Sequence, residues 1–174
     1  MYYLKRKKGL NSVSEKRKKQ IDDGLFPDKA KGVKVTVRKR KPNLVKKLDK
    51  VFALYIRLRD CMPGGYGRCI SCGKIKSFEE LQNGHYISRK NMATRFEPLN
   101  CNAECVSCNC FSADHLIGYR ENLITKIGHA KFDYLMAARN TTKKWSDFEL
   151  ETMIKYYTSE VRRLSAEKSI RVNL

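Results

Sequence analysis

The chain has 174 residues, 41% of them hydrophobic, a length and composition suited to one domain with a modest core. Its 37 Lys and Arg against 18 Asp and Glu give a net charge of +19, and residues 1–50 alone hold 18 basic against 5 acidic side chains. That excess points to a polyanionic partner, above all nucleic acid, because each Lys or Arg at a phosphate releases condensed counterions; the lack of any run of about 20 apolar residues argues against a membrane span.

The opening stretch, MYYLKRKKGL, lacks the apolar segment of a secretion signal, so a cytoplasmic protein with reduced thiols is expected. Residues 1–42 interleave basic clusters (KRKK at 5–8, KRKK at 16–19, RKRK at 38–41) with Gly, Asp and Pro. They read as a DNA-binding arm with a short strand at Val33–Val37, and Arg38, Lys39, Arg40 and Lys41 are its candidate phosphate contacts. The arm has no apolar face of the kind that binds a membrane surface.

Residues 43–60, NLVKKLDKVFALYIRLRD, place Leu44, Leu48, Val51, Phe52, Tyr55 and Leu58 on one stripe, the period of an amphipathic helix. Arg57 and Arg59 flank the stripe, and Arg57 is a candidate DNA contact. Pro63, Gly64, Gly65 and Gly67 then break the helix. Short strands and loops are predicted over 69–109. A helix follows in FSADHLIGYRENLITKIG, with Ser112 as its cap and Gly128 as its stop, and a second runs from His129 to about Arg139. Ser146 and Glu149 form a capping box with Trp145 placed to staple onto Leu150, and Leu150, Ile154, Tyr157, Val161 and Leu164 make one face of the last helix. The organisation is therefore an arm at 1–42, a core at 43–135 and a helical region at 136–174, with no internal repeat.

Two C-x-x-C pairs, Cys69 with Cys72 and Cys105 with Cys108, are separated by 32 residues. Each pair sets two thiolates on one side of a tight turn, and two such turns supply the four sulfurs that zinc prefers. A redox C-x-x-C stands singly at a strand-to-helix junction, which does not describe this region. Four thiolates close the coordination shell, so the zinc is structural, and Gly73 relieves the first turn of Cβ strain. Cys61, Cys101 and Cys110 remain as candidate buried small hydrophobic side chains; Cys101 or Cys110 could swap into the site, but only Cys105 and Cys108 have the paired spacing.

Between the pairs lies NGHYISR. The order of a cysteine turn, His85 at a strand end, Asn100, a second cysteine turn, then Asn109 leading into a helix resembles the zinc-containing HNH, or ββα-metal, nucleases. The resemblance implies that His85 is the general base, that Asn100 braces the hairpin loop, and that Asn109 ligates a divalent ion, Mg²⁺ or Mn²⁺. Over residues 44–135 the strings LDKVFALYIRLRD, GYGRCISCGK, NGHYISR, ATRFEPLN, C-x-x-CN and YRENLITKIG resemble the phage NinG, or Rap, family. That family implies a structure-specific endonuclease acting on branched DNA such as Holliday junctions and D-loops during phage recombination.

Many HNH enzymes carry an acidic metal ligand directly before the base; Gly84 stands there, as in NinG-like sequences, so another acid or amide must serve. Asp114 and His115 are candidates to complete the ion's shell, and Glu97 lies within reach of the same region. Arg89, Lys90 and Arg95 would line a phosphate track, and Tyr86 would pack the base; His129, with no partner motif, reads as structural. The fold class expected is α+β: a zinc-bound ββα-metal core with flanking helices and a basic N-terminal arm. The partners expected are branched or junction DNA and a second copy in a homodimer, without membrane or organic cofactor. A non-catalytic binder of branched DNA and a sequence-specific HNH endonuclease are the rival readings.

Overall fold

A computed structural model describes residues 43–174. The arm, with Arg38, Lys39, Arg40, Lys41 and the strand expected at Val33–Val37, lies outside the described residues.

Helix α1 (Leu44–Asp60) starts at Asn43, whose Oδ1 accepts from the Lys46 N–H at 3.0 Å, satisfying one of the orphan donors of the first turn. Its buried residues are Leu48, Val51, Phe52, Ile56 and Leu58. Ile56 joins the expected stripe because α1 is covered on two sides. The long helix α5 (Asp147–Lys168) packs along it, and the hairpin of β3 (Leu81–His85) and β4 (Cys101–Cys105) packs on the other.

Before that hairpin, β1 (Tyr66–Arg68) and β2 (Ile75–Ser77) pair antiparallel around the first cysteine turn. Gly73 sits there at φ +71°, in the left-handed region that a Cβ disfavours. In the second hairpin Leu81 lies opposite Cys105, Gln82 opposite Glu104, Gly84 opposite Asn102 and His85 opposite Cys101. Side chains alternate across the sheet, so Leu81, Asn83 and His85 share one face and Gln82, Gly84 and Glu104 the other.

The helices α2 (Val106–Phe111), α3 (His115–Ile127) and α4 (His129–Ala138) follow. The expectation of one helix capped by Ser112 is corrected. The second cysteine turn is itself helical, Ser112 is its extended terminator, and α3 restarts after Asp114. Gly128, at φ +81°, ends α3 as expected. Helix α5 opens on the expected capping box: Ser146 Oγ accepts from Glu149 N–H at 3.2 Å, and the Glu149 carboxylate accepts from Ser146 N–H at 2.8 Å. All five residues predicted for its inner face are buried. Trp145 packs against the core that holds Leu150, and its indole N–H donates to the Met92 carbonyl at 3.0 Å.

Two apolar clusters result. The larger joins α1, the inner face of β3 and β4, and α5; the smaller gathers Ile87, Tyr119, Leu123, Phe132 and Leu135. The pair Arg59–Asp60 ties them together. Arg59 forks onto Asp60 at 2.9 Å and donates to the carbonyls of Pro98 and Cys101, while Asp60 also accepts from the Ala103 N–H and from Lys126 of α3. Burial would raise the Asp60 carboxyl's pKa, but Arg59 and Lys126 outweigh it and hold the group below its usual range. The described chain is thus α+β, and none of its described helices is long and apolar enough to cross a membrane.

Candidate metal centre and histidine cleft

The sulfurs of Cys69, Cys72, Cys105 and Cys108 lie within 4.8 Å of one another, with Cys72 and Cys105 3.9 Å apart. Thiolates bound tetrahedrally at about 2.3 Å from zinc stand about 3.8 Å apart, so the cluster has the dimensions of a four-sulfur site and could hold a structural metal such as zinc. β1–β2 delivers the first pair and the β4–α2 junction the second. Burial works against ionising the Cys105 thiol, but hydrogen bonds from Ser107 and Cys108 outweigh it and bring the thiol to about 6. Burial and the neighbouring sulfurs push Cys108 up. Four thiols so close cannot all ionise alone, and a divalent cation relieves that conflict. Cys61 and Cys101 are buried core residues, whereas Cys110 is exposed on α2.

His85 closes β3. Its Nε2 lies 3.0 Å from the Arg95 carbonyl, which can only accept, so Nε2 carries the proton and Nδ1 of the neutral ring keeps a lone pair. Burial, joined by the charges of Arg89 and Arg95, lowers the imidazole's pKa despite the opposing hydrogen bond to Arg95. The loop that supplies this carbonyl is held by Asn100, which is fully buried. The Asn100 Oδ1 accepts from Ile87 N–H at 2.7 Å, and its Nδ2 donates to the carbonyls of Ile87 and Thr94, each at 3.0 Å. From outside, Arg95 anchors the loop to α1 through two bonds to Asp49 at 2.6 and 2.9 Å.

A cleft of about 450 Å³ opens beside the outer edge of β3, lined by Asn83, His85, Ser88, Arg89, Asn109 and His115 among others. Asn109 projects from α2 and is steadied by a 2.7 Å bond from its Nδ2 to Gln82 Oε1. His115, the first residue of α3, turns Nδ1 to within 2.7 Å of Glu104 Oε1. The Asn83 Oδ1 is buried in this wall with no hydrogen-bond partner. Such an acceptor costs about 1–3 kcal/mol unless a donor, water or cation meets it.

The remaining candidates fall elsewhere. Asp114 is exposed at the start of α3, makes no side-chain capping bond and is not among the residues that line the cleft. Glu97 is used in its own turn, accepting from Leu99 N–H. Arg57 donates to the Phe78 carbonyl and lies over the Phe78 ring at 3.9 Å, and Arg95 is committed to Asp49. These contacts engage both guanidinium groups within the fold. Arg89 does line the cleft, and Lys90 lines an adjoining groove of about 500 Å³ that shares Tyr86, Ser88 and Leu116 with it. Tyr86 packs on Tyr119 and Phe132. The same groove contains Arg139, which sequence reasoning missed because a lone arginine at a helix end carries no signal.

Sequence reasoning also missed Glu104. It is fully buried, yet its Oε2 has no partner. A Cβ built on Gly84 would stand 2.2 Å from that oxygen. The glycine is therefore a seat for the carboxylate of the neighbouring strand.

The family model described as "Bacteriophage Lambda NinG protein" matches residues 3–167. Proteins named ninG from Escherichia phage 933W and Escherichia phage lambda are each 28% identical over 127 residues, 72% of this chain and 60% and 59% of theirs. The ninG protein of Enterobacteria phage H19B is 31% identical over 98 residues, 55% of this chain and 46% of its own. The chain thus spans about 60% or less of the length of these curated relatives. No solved structure matches it.

Proposed function

The chain belongs to the NinG family, and from that premise we propose that it is a divalent-metal-dependent endonuclease that cuts branched DNA in phage recombination. The reading rests on one observation above all: His85, with Nδ1 left unprotonated, shares a cleft with Asn83, Asn109, His115 and Arg89. In this reading β3, β4 and α2 are the ββα-metal unit of an HNH-type nuclease, and the four-cysteine cluster holds zinc as a structural strut.

Asn109 and His115 would hold Mg²⁺ or Mn²⁺, with the unpartnered Asn83 Oδ1 as a further oxygen donor. When bound, the ion supplies positive charge against the negative charge that develops on the phosphate and the leaving oxygen. The His85 Nδ1 takes a proton from water as the water oxygen bonds to phosphorus and the P–O bond to the leaving sugar oxygen breaks. A lowered pKa keeps His85 neutral near pH 7, the form that can accept that proton. Arg89 pairs with the reacting phosphate, and Lys90 and Arg139 carry the strand along the adjoining groove. Paired incisions across a junction need two such clefts, which a twofold homodimer supplies.

The test incubates zinc-loaded protein with a labelled four-way junction and a linear duplex of matched sequence, in Mg²⁺, Mn²⁺ or EDTA, beside His85→Ala. Junction cleavage that requires both the ion and His85 is the expected result. Tight junction binding without incision in any metal would leave a binder of branched DNA. Sequence-dependent cutting of the linear duplex would make it a sequence-specific nuclease.

A further inference from the structure

We propose that Glu104 is a positioning residue of the cleft: its buried carboxylate holds the Nδ1–H of His115, so that Nε2 is presented unprotonated as a nitrogen ligand for a divalent cation. The inference rests on reading the cleft as an ion site.

A carboxylate oxygen accepts and cannot donate, so the 2.7 Å contact fixes the proton of a neutral His115 on Nδ1. An isolated neutral imidazole has no such constraint. The rest of the ring faces the cleft, where Asn83 and Asn109 also project. Metal-binding histidines commonly donate their second ring N–H to a carboxylate, which fixes the tautomer and makes the free nitrogen more basic.

The surroundings are shaped around this contact. Ser71, from the first cysteine turn, donates its hydroxyl to the same Oε1, so one oxygen is gripped from two sides. Gly84 gives the carboxylate its place, since a Cβ there would lie 2.2 Å from Oε2 and 2.8 Å from the Glu104 Cβ. Gly118 lets α3 approach, since a Cβ there would lie 2.3 Å from the Ser71 carbonyl oxygen. Two glycines on different elements therefore permit Glu104, Ser71 and His115 to converge. Full burial of a carboxylate with one oxygen unpartnered is costly, and packing alone gives no reason for an acid here.

The experiment compares zinc-loaded wild type with Glu104→Gln, Glu104→Leu and His115→Ala. Imidazole ¹⁵N shifts at alkaline pH report the His115 tautomer, and Mn²⁺ paramagnetic resonance reports affinity. Wild type should show the Nδ1–H form. Glu104→Gln keeps an acceptor, so it should keep the tautomer while binding Mn²⁺ more weakly. Glu104→Leu should lose the tautomer and weaken Mn²⁺ binding by about 10–100-fold. In a His115→Ala background Glu104→Leu should add nothing.

Persistence of the Nδ1–H form in Glu104→Leu overturns the proposal, as does an equal loss of affinity with and without His115. Wild type that binds no Mn²⁺ overturns the ion-site reading itself, and with it the ligand role, whatever the tautomer. Should Glu104→Leu not fold, Gly84→Ala displaces the same carboxylate from the neighbouring strand and takes its place in both readouts.

Discussion

Asn100 braces the loop beside the cleft, and its removal has a calculable cost. It is fully buried, and alanine there strands two backbone groups, the Ile87 N–H and the Ile87 carbonyl, while the Thr94 carbonyl loses one of its two donors and keeps the Glu97 N–H. Each buried polar group left unpaired costs about 1–3 kcal/mol, and water entering the vacated space recovers part of that, so Asn100→Ala should destabilise by about 2–4 kcal/mol. Against a total stability of about 5–15 kcal/mol the variant still folds. Asn100→Asp is the sharper probe. It keeps the acceptor for Ile87 N–H but sets a carboxylate against two carbonyls that had been receiving hydrogen bonds. At neutral pH it should cost at least as much as alanine. Its carboxyl is favoured protonated in the folded state, with a folded pKa above the unfolded one, so its deficit against wild type should shrink as pH falls through that raised value. Urea unfolding of zinc-loaded protein measures all of this through Trp145, the single tryptophan, whose indole bonds to Met92 in the braced loop. A loss below about 1 kcal/mol for alanine, or an aspartate variant as stable as wild type at neutral pH, would refute the bracing argument.

Chelation should release zinc from the four cysteines and cost several kcal/mol, since the site joins β1–β2 to the β4–α2 junction; Cys72→Ser should do the same, read by metal content and thermal unfolding. In the proposed mechanism cleavage requires neutral His85, whose pKa is lowered from 6.5, so the acidic limb of the rate profile should fall below that value. Arg89→Ala removes one depressing charge and should move the limb upward. A limb at the ordinary histidine position in both proteins would refute the burial argument. Ser146→Ala removes the reciprocal cap of α5 and should cost about 1 kcal/mol in thermal or urea unfolding, with zinc content unchanged.

Features that depend on neighbours three or four residues away were legible in the chain itself. The face of α5, its capping box, the stop at Gly128 and the two cysteine turns are local patterns, and periodicity or spacing suffices to read them. Even the order His85, Asn100, Asn109 can be followed along the sequence. Its one local failure, Ser112, came from a short helix hidden inside the second cysteine turn, too brief to show a period.

The cleft's electrostatics depended on contacts between distant segments. Arg57 and Arg95 look like cations on a binding surface until Phe78 and Asp49 meet them. Which nitrogen of His85 is left to accept a proton is decided by a carbonyl ten residues away. Gly84 reads along the chain as a missing acid, because nothing within its own strand occupies the space above it. The antiparallel register of β3 with β4 brings Glu104 there, from a sequence, CNAEC, in which one glutamate has no period or motif to mark it. Local spacing therefore determined the elements and the four-sulfur cluster, while strand register and helix docking decided where the buried charge stands, because charge acts through space and not along the chain.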